Sequence, residues 1–282
     1  MITRKKNIVL EGNHGKPIVT DVFYTNKPND KPIIIFCHGY KGFKDWGAWD
    51  LMAEAFANAG FVLVKFNFSH NGGTVEQPID FPDLEAFANN TFIKELDDLE
   101  TVLDWITNPD NEILSKTNAQ DITLIGHSRG GGIVVIKAAE DPRVTKLITW
   151  AGVSDYKNRF PKGEAFKQWE KDGVFYVENG RTKQQMPHYF DFYSSFIDHE
   201  ERLTISKAAA KIAIPYLIVH GTQDPTVHVQ EAYSINAYNP NASLFLVEGA
   251  DHVFGARHPC KNSDLPKDLE KIIEKSIEFA RL

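Results

Sequence analysis

The residues Gly126-His127-Ser128-Arg129-Gly130 have the types and the spacing that nucleophilic serine chemistry requires. An apolar run, residues 122–125, leads directly into them, and a helix pattern rich in small and β-branched residues follows. A serine on such a sharp strand-to-helix turn exposes its hydroxyl at the carboxyl edge of a sheet, and glycines on both sides avoid a collision across the turn. The pentapeptide alone occurs by chance. Its place between a strand and a helix predicts that Ser128 is a nucleophile.

A serine hydroxyl needs a base to take its proton, and the base needs an acid that holds its tautomer. Two later loops offer these groups. Asp224 follows the apolar residues 217–219, and His252 comes shortly after the apolar residues 244–247. The order serine, aspartate, histidine is that of enzymes with a nucleophile elbow. We therefore predict a catalytic triad of Ser128, Asp224 and His252.

Alternatives exist for each partner of the serine. Asp224 precedes Pro225 and could be a turn residue, and a lone histidine such as His252 is often a surface residue. Asp155 follows an earlier strand and is the better rival for the acid. Asp251 is a poorer rival, because adjacent loop residues rarely point one side chain at the other.

Acyl transfer also requires hydrogen-bond donors for the developing oxyanion. The backbone N–H of Arg129, at the start of the helix after the serine, is the first predicted donor. The second should come from the loop after residues 33–37, where we choose the N–H of Tyr40, with that of Lys41 as the alternative. The side chains of His38 and His127 are expected to pack beneath these loops.

Strands and helices alternate in a way that can position these loops. Two antiparallel strands are predicted at residues 6–11 and 19–24. Further strands are predicted at 31–37, 61–68, 121–126, 144–150, 215–220 and 244–247, and helices at 49–59, 92–108, 130–140, 230–237 and from about 264. Strands that are apolar on both faces and separated by helices indicate an α/β fold with a mostly parallel sheet.

A long interruption separates two of these strands. We assign residues 1–152 and 211–282 to the core and residues 153–210 to an inserted cap or lid, with a hairpin turn near 178–181. A small packing subdomain with no role at the site is the alternative. The insert carries an aromatic segment that could line an apolar substrate pocket or form the insert's own core, and its candidate pocket residues are His188, Tyr189, Phe190, Phe192 and Tyr193.

Together these motifs make the chain resemble the α/β-hydrolases, and within them the esterase and dienelactone-hydrolase-like branch that includes bacterial cinnamoyl (feruloyl) esterases. The resemblance covers nearly the whole chain outside the insert. It rests on residues 38–40, 66–72, 126–130, 220–224 and 249–252. It implies an eight-stranded sheet, the same triad and oxyanion donors, and a lid between the sixth and seventh strands. The insert matches no substrate-specific pattern, so feruloyl specificity is not implied.

The composition indicates which kinds of binding partner and cofactor to expect. A formal charge of −7 and a pI of about 5.8 give no reason to expect binding to nucleic acid or to an anionic membrane. No apolar run has the length of a signal peptide or a membrane span, and the two cysteines form no disulfide framework, so we expect a cytoplasmic protein. With no cysteine–histidine cluster and no phosphate-binding loop, we expect no metal and no organic cofactor. A dimer is compatible with the sequence, which does not indicate an oligomeric state.

These features predict a serine hydrolase that cleaves carboxylic esters with small to medium apolar or aromatic groups through an acyl-enzyme. A serine peptidase or amidase of the prolyl-oligopeptidase-like type is the nearest alternative, because the same groups cleave amides. That type adds a large recognition domain, for which this chain of 282 residues is too short. An acyltransferase and a non-catalytic binder on the same scaffold are further alternatives. A binder of this type typically lacks one member of the triad.

Overall fold

An eight-stranded sheet forms the centre of the protein. The computed structural model describes residues 1–26, 30–113, 117–261 and 263–282. The strands are β1 (Ile2–Leu10), β2 (Ile18–Thr25), β3 (Lys31–Cys37), β4 (Val62–Asn67), β5 (Thr117–His127), β6 (Val144–Trp150), β7 (Val174–Glu178), β8 (Gln185–Tyr189), β9 (Tyr216–Gly221) and β10 (Ser243–Val247). The central sheet has the order β1-β2-β4-β3-β5-β6-β9-β10, and β7 pairs with β8 in a separate sheet. Strand β2 is antiparallel to both of its neighbours, and the remaining neighbours in the central sheet are parallel.

Helices cover both faces of this sheet. They are α1 (Trp49–Asn58), α2 (Leu84–Ala88), α3 (Phe92–Thr107), α4 (Arg129–Glu140), α5 (Glu164–Asp172), α6 (Asp191–Asp198), α7 (Glu200–Leu203), α8 (Ile205–Lys211), α9 (Gln230–Tyr238) and α10 (Lys267–Ala280). Apolar residues of α1 and α10 pack on one face, and those of α3, α4, α8 and α9 pack on the other. The carboxyl ends of the parallel strands lie together at one edge of this covered sheet.

Strand β3 shows why the sheet is buried on both sides. Its residues Ile33 and Ile35 belong to the core on one face, and Ile34 and Phe36 belong to the core on the opposite face. Successive side chains of a strand point to opposite faces, so a strand covered on both sides needs apolar residues at every position. The predicted bounds of β3 and β6 agree with the structure.

The largest difference at the chain's start is in β1, which begins at Ile2 and not at residue 6. The first half of this edge strand contains Arg4 and Lys6. Their side chains form ion pairs with Glu54 and Asp50 of α1. An edge strand can carry charged side chains that face solvent. Because basic residues interrupt the apolar pattern here, the sequence does not indicate where this strand begins.

The segment between β6 and β9 contains the hairpin β7–β8 and helices α5 to α8. The hairpin lies against the region around α2, where Gln184 Nε2 donates to the carbonyl of Phe81 at 3.0 Å and Tyr189 Oη donates to Glu85 at 2.7 Å. Helix α8 falls within the predicted insert, but its residues Ile205 and Ala209 are buried in the main core. Among the described residues, no helix has both the length and the apolar composition that crossing a bilayer requires.

Candidate active site

Ser128 lies on a strained turn between β5 and α4. Its φ is 56° and its ψ is −119°, a conformation that few residues with a side chain adopt. The turn is tight because a Cβ on Gly126 would lie 2.3 Å from the carbonyl oxygen of Gly130, and one on Gly130 would lie 2.5 Å from that of His38. A hydrogen bond from Ser128 N to the carbonyl of Trp150, 2.9 Å long, holds the turn on the neighbouring strand. The glycines at positions 126 and 130 therefore permit the tight turn on which Ser128 lies.

His252 and Asp224 are brought to the same serine from separate loops. His252 Nε2 lies 3.0 Å from Ser128 Oγ, and His252 Nδ1 lies 2.7 Å from Asp224 Oδ2. The other carboxylate oxygen of Asp224 accepts the backbone N–H groups of Thr226 and Val227 at 2.8 and 2.9 Å. The loops after β9 and β10 thus complete a continuous relay of carboxylate, imidazole and hydroxyl.

Asp224 is held in its charged form. Burial alone would raise the pKa of this carboxyl, but hydrogen bonds from His220 and His252 and the amide of Val227 lower it well below its usual range. A carboxylate in this position stabilises the imidazolium that forms when the histidine takes a proton. The charge on Asp224 therefore suits a relay in which His252 acts as a base.

The two alternative carboxylates, Asp155 and Asp251, form their hydrogen bonds with groups other than the His252 ring. Asp155 accepts the backbone N–H of Asn158 at 3.2 Å and its side-chain amide at 2.8 Å. Asp251 accepts the amides of Val253 and Gly255 and pairs with Arg257 at 3.0 Å. Both carboxylates stabilise local turns, and Asp224 is the carboxylate that contacts His252.

The 38–42 loop runs beside the serine. A Cβ on Gly39 would lie 2.8 Å from Ser128 Cβ, so the backbone before Tyr40 closely approaches the hydroxyl. Arg129 is the first residue of α4, and its N–H has no acceptor within the helix. Both predicted oxyanion donors are therefore at the correct edge of the sheet, and their role in holding an oxyanion remains a prediction.

The two histidines of these loops are structural. His38 Nδ1 donates to the carbonyl of Gly39 at 2.9 Å, and His127 Nε2 donates to the carbonyl of His252 at 2.9 Å. Burial lowers the pKa of His38 to about 4 and that of His127 to about 3, so both rings are neutral at physiological pH. His127 thereby supports the backbone of His252.

A cavity of about 270 Å³ lies beside Ser128, and we call it the aromatic cavity. Its lining residues are Tyr40, Phe92, Ser128, Arg129, Val153, Tyr156, Arg159, Phe160, Pro161, Trp169, Phe175, Val177, His188, Phe192, Thr226 and Val227. The two arginines carry counterions, since Arg129 pairs with Glu95 at 2.9 Å and Arg159 pairs with Glu231. Burial raises the pKa of Glu95, and the guanidinium of Arg129 opposes that effect. The cavity therefore offers a mainly apolar, aromatic surface.

The five predicted pocket residues separate into two groups. His188 and Phe192 line the aromatic cavity. Tyr189, Phe190 and Tyr193 do not belong to that lining: Tyr189 binds Glu85 at the surface, while Phe190 and Tyr193 pack against Trp169 and Phe166 inside the insert. The segment passes from strand β8 into helix α6, so neighbouring aromatic residues face different directions.

Several cavity residues were not predicted from the sequence. Tyr156 and Phe160 follow β6. The Tyr156 ring stacks on Phe92 with centroids 3.9 Å apart, and the Phe160 ring meets Phe92 edge-on with centroids 6.5 Å apart. Phe175 and Val177 face the cavity from β7, whereas Tyr176 between them is 56% exposed. In the sequence, the one feature that could have indicated a role at the site is that Tyr156 and Phe160 follow soon after β6, the strand next to β5 and Ser128.

One group of carboxylates in the described part of the chain has the spacing of a metal site. Asp21, Asp45 and Asp50 offer oxygen atoms within 4.8 Å of one another. Lys65 Nζ lies 2.9 Å from Asp21 and 2.8 Å from Asp45, and Lys44 Nζ lies 2.8 Å from Asp21. Lysine ammonium groups thus supply the positive charge, and the cluster is a partly buried ion-pair network.

Comparison with known proteins agrees with this architecture. The sequence model of the alpha/beta hydrolase family matches residues 34–261. The chain is 24% identical to the non-heme chloroperoxidase CPO-A1 of Kitasatospora aureofaciens, over 92% of this chain and 95% of that protein. Est1E from Butyrivibrio proteoclasticus, solved with ferulic acid, has a TM-score of 0.69 at 19% identity, over 96% of this chain and 97% of that one. A dienelactone hydrolase from Anabaena variabilis has a TM-score of 0.63 at 15% identity, over 99% and 96%.

The family match covers most of the chain, and the two solved structures share its fold over nearly their whole length. The predicted fold class and the predicted resemblance are therefore confirmed. The chain belongs to the alpha/beta hydrolase family.

Proposed function

We propose that this α/β-hydrolase is a serine carboxylesterase that cleaves esters with small to medium apolar or aromatic acyl groups. The observation that carries the proposal is the relay in which His252 lies 3.0 Å from Ser128 Oγ and 2.7 Å from Asp224. Serine, histidine and aspartate at these distances match the arrangement that activates a hydroxyl for attack on a carbonyl.

In the proposed reaction, His252 Nε2 takes the proton of Ser128 Oγ as the oxygen attacks the ester carbonyl. The N–H groups of Tyr40 and Arg129 hold the resulting oxyanion. The tetrahedral intermediate collapses, the bond to the alcohol oxygen breaks, and His252 gives its proton to that oxygen. A water molecule then attacks the acyl-enzyme in the same way and releases the acid.

The aromatic cavity supports the proposed acyl preference. Its volume of about 270 Å³ suits a group of the size of a phenyl ring with a short linker, and aromatic side chains supply most of its surface. We assign the insert, residues 153–210, the role of a cap over the site, because Phe160, Phe175 and His188 of this segment line the cavity. The cap thereby contributes directly to substrate selection.

A fluorophosphonate probe followed by peptide mapping tests the nucleophile. The peptide with Ser128 should carry the label, and Ser128→Ala should lose the label and at least about 10⁴-fold of ester turnover. Ser154→Ala is the matched control, since Ser154 is buried nearby but its hydroxyl contacts Glu231 at 3.3 Å. Ester turnover by Ser128→Ala at the wild-type rate would disprove the proposal.

Substrate panels separate the esterase from its rivals. We expect p-nitrophenyl esters to be hydrolysed with a much higher kcat/KM than aminoacyl p-nitroanilides, and the reverse order would favour a peptidase. Because one relative is called a non-heme chloroperoxidase, the same preparation should be assayed for chlorination with peroxide and chloride. Chlorination without ester hydrolysis would contradict the proposed function.

A further inference from the structure

Ser128 lies between two cavities of different character. The second cavity has a volume of about 440 Å³ and extends from Ser128 over the 38–42 loop, the turn at residues 179–181 and the residues around His258. We call it the basic cavity, because its lining, as far as the structure describes the chain, includes Lys41, Arg181 and Arg257 and no carboxylate. Ser128 and Tyr40 line both cavities, so a substrate bound at the serine can extend into each of them.

The position of His252 indicates which half of an ester enters which cavity. His252 lines the basic cavity and is not part of the aromatic lining. In ester cleavage the histidine must reach the oxygen of the leaving alcohol in order to protonate it. The alcohol half therefore belongs in the basic cavity, and the acyl half belongs in the aromatic cavity.

The three cations differ in their partners. Arg181 pairs with Asp80, and Arg257 pairs with Asp251 at 3.0 Å. Lys41 is half-buried, and its Nζ donates to the carbonyl oxygen of Glu178 at 3.3 Å and lies 5.1 Å from the centre of the Tyr40 ring. No ion pair within the described ranges of the chain includes Lys41, and burial lowers the pKa of its ammonium group. Lys41 thus places a partly desolvated cation in the same cavity lining as Ser128, and none of the described carboxylates pairs with it.

Three histidines in the described lining of this cavity add no negative charge. His258 Nδ1 accepts the N–H of Gly47 at 3.0 Å, and burial lowers the pKa of its ring. His38 and His127 are neutral, as described above. A neutral leaving group would leave Lys41 without a counterion, whereas an anion there would form charge-assisted hydrogen bonds.

We propose that the basic cavity binds the alcohol half of the substrate through an anionic group, a carboxylate or a phosphate, with Lys41 as its main counterion. This inference rests on the proposed esterase function and names its substrate class: an ester of an apolar or aromatic acid with an alcohol that carries a negative charge. The bond that breaks is the ester bond already described, so the chemistry is unchanged and the anionic group serves only for recognition.

Matched esters of 3-phenylpropanoic acid test the proposal. The alcohols are glycolate, its neutral amide glycolamide, 2-hydroxyethyl phosphate and choline. Because these alcohols differ in intrinsic reactivity, the quantity to compare between proteins is the ratio of kcat/KM for an anionic ester to kcat/KM for the glycolamide ester. The glycolate and phosphate arms show which anion the cavity prefers, and the choline ester should be the poorest substrate.

Two variants of the same residue separate charge from loop geometry. Lys41 has a φ of 53°, so glutamine and arginine at this position meet the same backbone strain. Lys41→Gln should lower the anionic-to-neutral ratio about tenfold, while Lys41→Arg should keep it within about threefold of wild type. Lys167→Gln is the control, because Lys167 is an exposed lysine of the insert that pairs with Glu164 at 3.5 Å and does not line the cavity. It should leave the ratio unchanged.

The outcomes distinguish this inference from the function on which it rests. If wild type hydrolyses neither these four esters nor p-nitrophenyl esters, the proposed esterase function fails together with the inference. If it hydrolyses only the p-nitrophenyl esters, only the inference is overturned. If wild type hydrolyses the esters but the ratio is equal in Lys41→Gln and Lys41→Arg, only the inference is overturned. A choline ester that outperforms the glycolate ester would overturn it as well.

Discussion

Tyr40 and His188 share a hydrogen bond in which Tyr40 Oη lies 2.7 Å from His188 Nε2. Tyr40 belongs to the 38–42 loop beside the serine, and His188 belongs to strand β8 of the insert. Burial raises the pKa of Tyr40 to about 12 and lowers that of His188 to about 3, so both groups are neutral over the working range of pH. The bond therefore links the proposed oxyanion loop to the proposed cap without any dependence on protonation.

A double-mutant cycle should show that these residues act as a unit. Tyr40→Phe and His188→Leu each leave one buried polar partner unsatisfied, which costs about 1–3 kcal/mol in the free energy of unfolding. We expect each variant to lose about tenfold in kcat/KM for a p-nitrophenyl ester, and the double variant to lose little more than either single one, with a coupling energy of about 1 kcal/mol or more. Additive losses in both urea unfolding and kcat/KM would show that the bond does not couple the loop to the cap.

The carboxylate of the relay can be tested against its rival. Asp224→Asn should lower kcat about 10³–10⁴-fold, because an amide can donate to His252 Nδ1 and favour the wrong tautomer. Asp155→Asn should keep kcat within about threefold of wild type, since Asp155 only stabilises the turn at Asn158. Steady-state kinetics of the two variants provides the measurement. The proposed triad would be wrong if Asp155→Asn lost more activity than Asp224→Asn.

The sequence predicted the parts of the site that depend on chain order and strand ends. Ser128, Asp224 and His252 each follow an apolar parallel strand, and the carboxyl ends of parallel strands necessarily share one edge. Most of the aromatic cavity could not be found in this way. In β7 the residues Val174–Glu178 begin with four consecutive apolar or aromatic side chains, so alternation does not reveal which of them face inward. Their direction depends on how the insert packs on the core.

Narrowing the aromatic cavity should change acyl preference. Val177→Phe places a larger side chain in the cavity from β7 and retains a residue that strands favour. We expect the ratio of kcat/KM for a 3-phenylpropanoyl ester to that for an acetyl ester to fall at least about tenfold, since each methylene of lost space is worth about 1–3 kcal/mol. Tyr176→Phe is the control, because Tyr176 is the adjacent exposed residue. An unchanged ratio in Val177→Phe would show that the acyl group binds elsewhere.

A buried carboxyl in helix α3 should make stability depend on pH. Burial raises the pKa of Asp98 to about 7, although the backbone N–H of Ser69 donates to its Oδ2 at 2.7 Å. Among the described residues, the other oxygen of Asp98 has no hydrogen-bond partner. Between the pKa of an unfolded aspartate, about 4, and the folded value, the native state binds more protons than the unfolded state. The free energy of unfolding should therefore decrease as pH rises from about 4 to 7, by on the order of 3 kcal/mol from this group.

Asp98→Asn removes this titration and keeps an oxygen that can accept from Ser69. Urea unfolding at pH 5, 6, 7 and 8 should show that the variant gains stability relative to wild type as pH rises, with the largest gain at pH 8. Asp172→Asn, which changes an exposed carboxylate of α5, should follow the pH dependence of wild type. If the difference between Asp98→Asn and wild type stays constant over this range, Asp98 is already charged at pH 5 and its burial does not control its protonation.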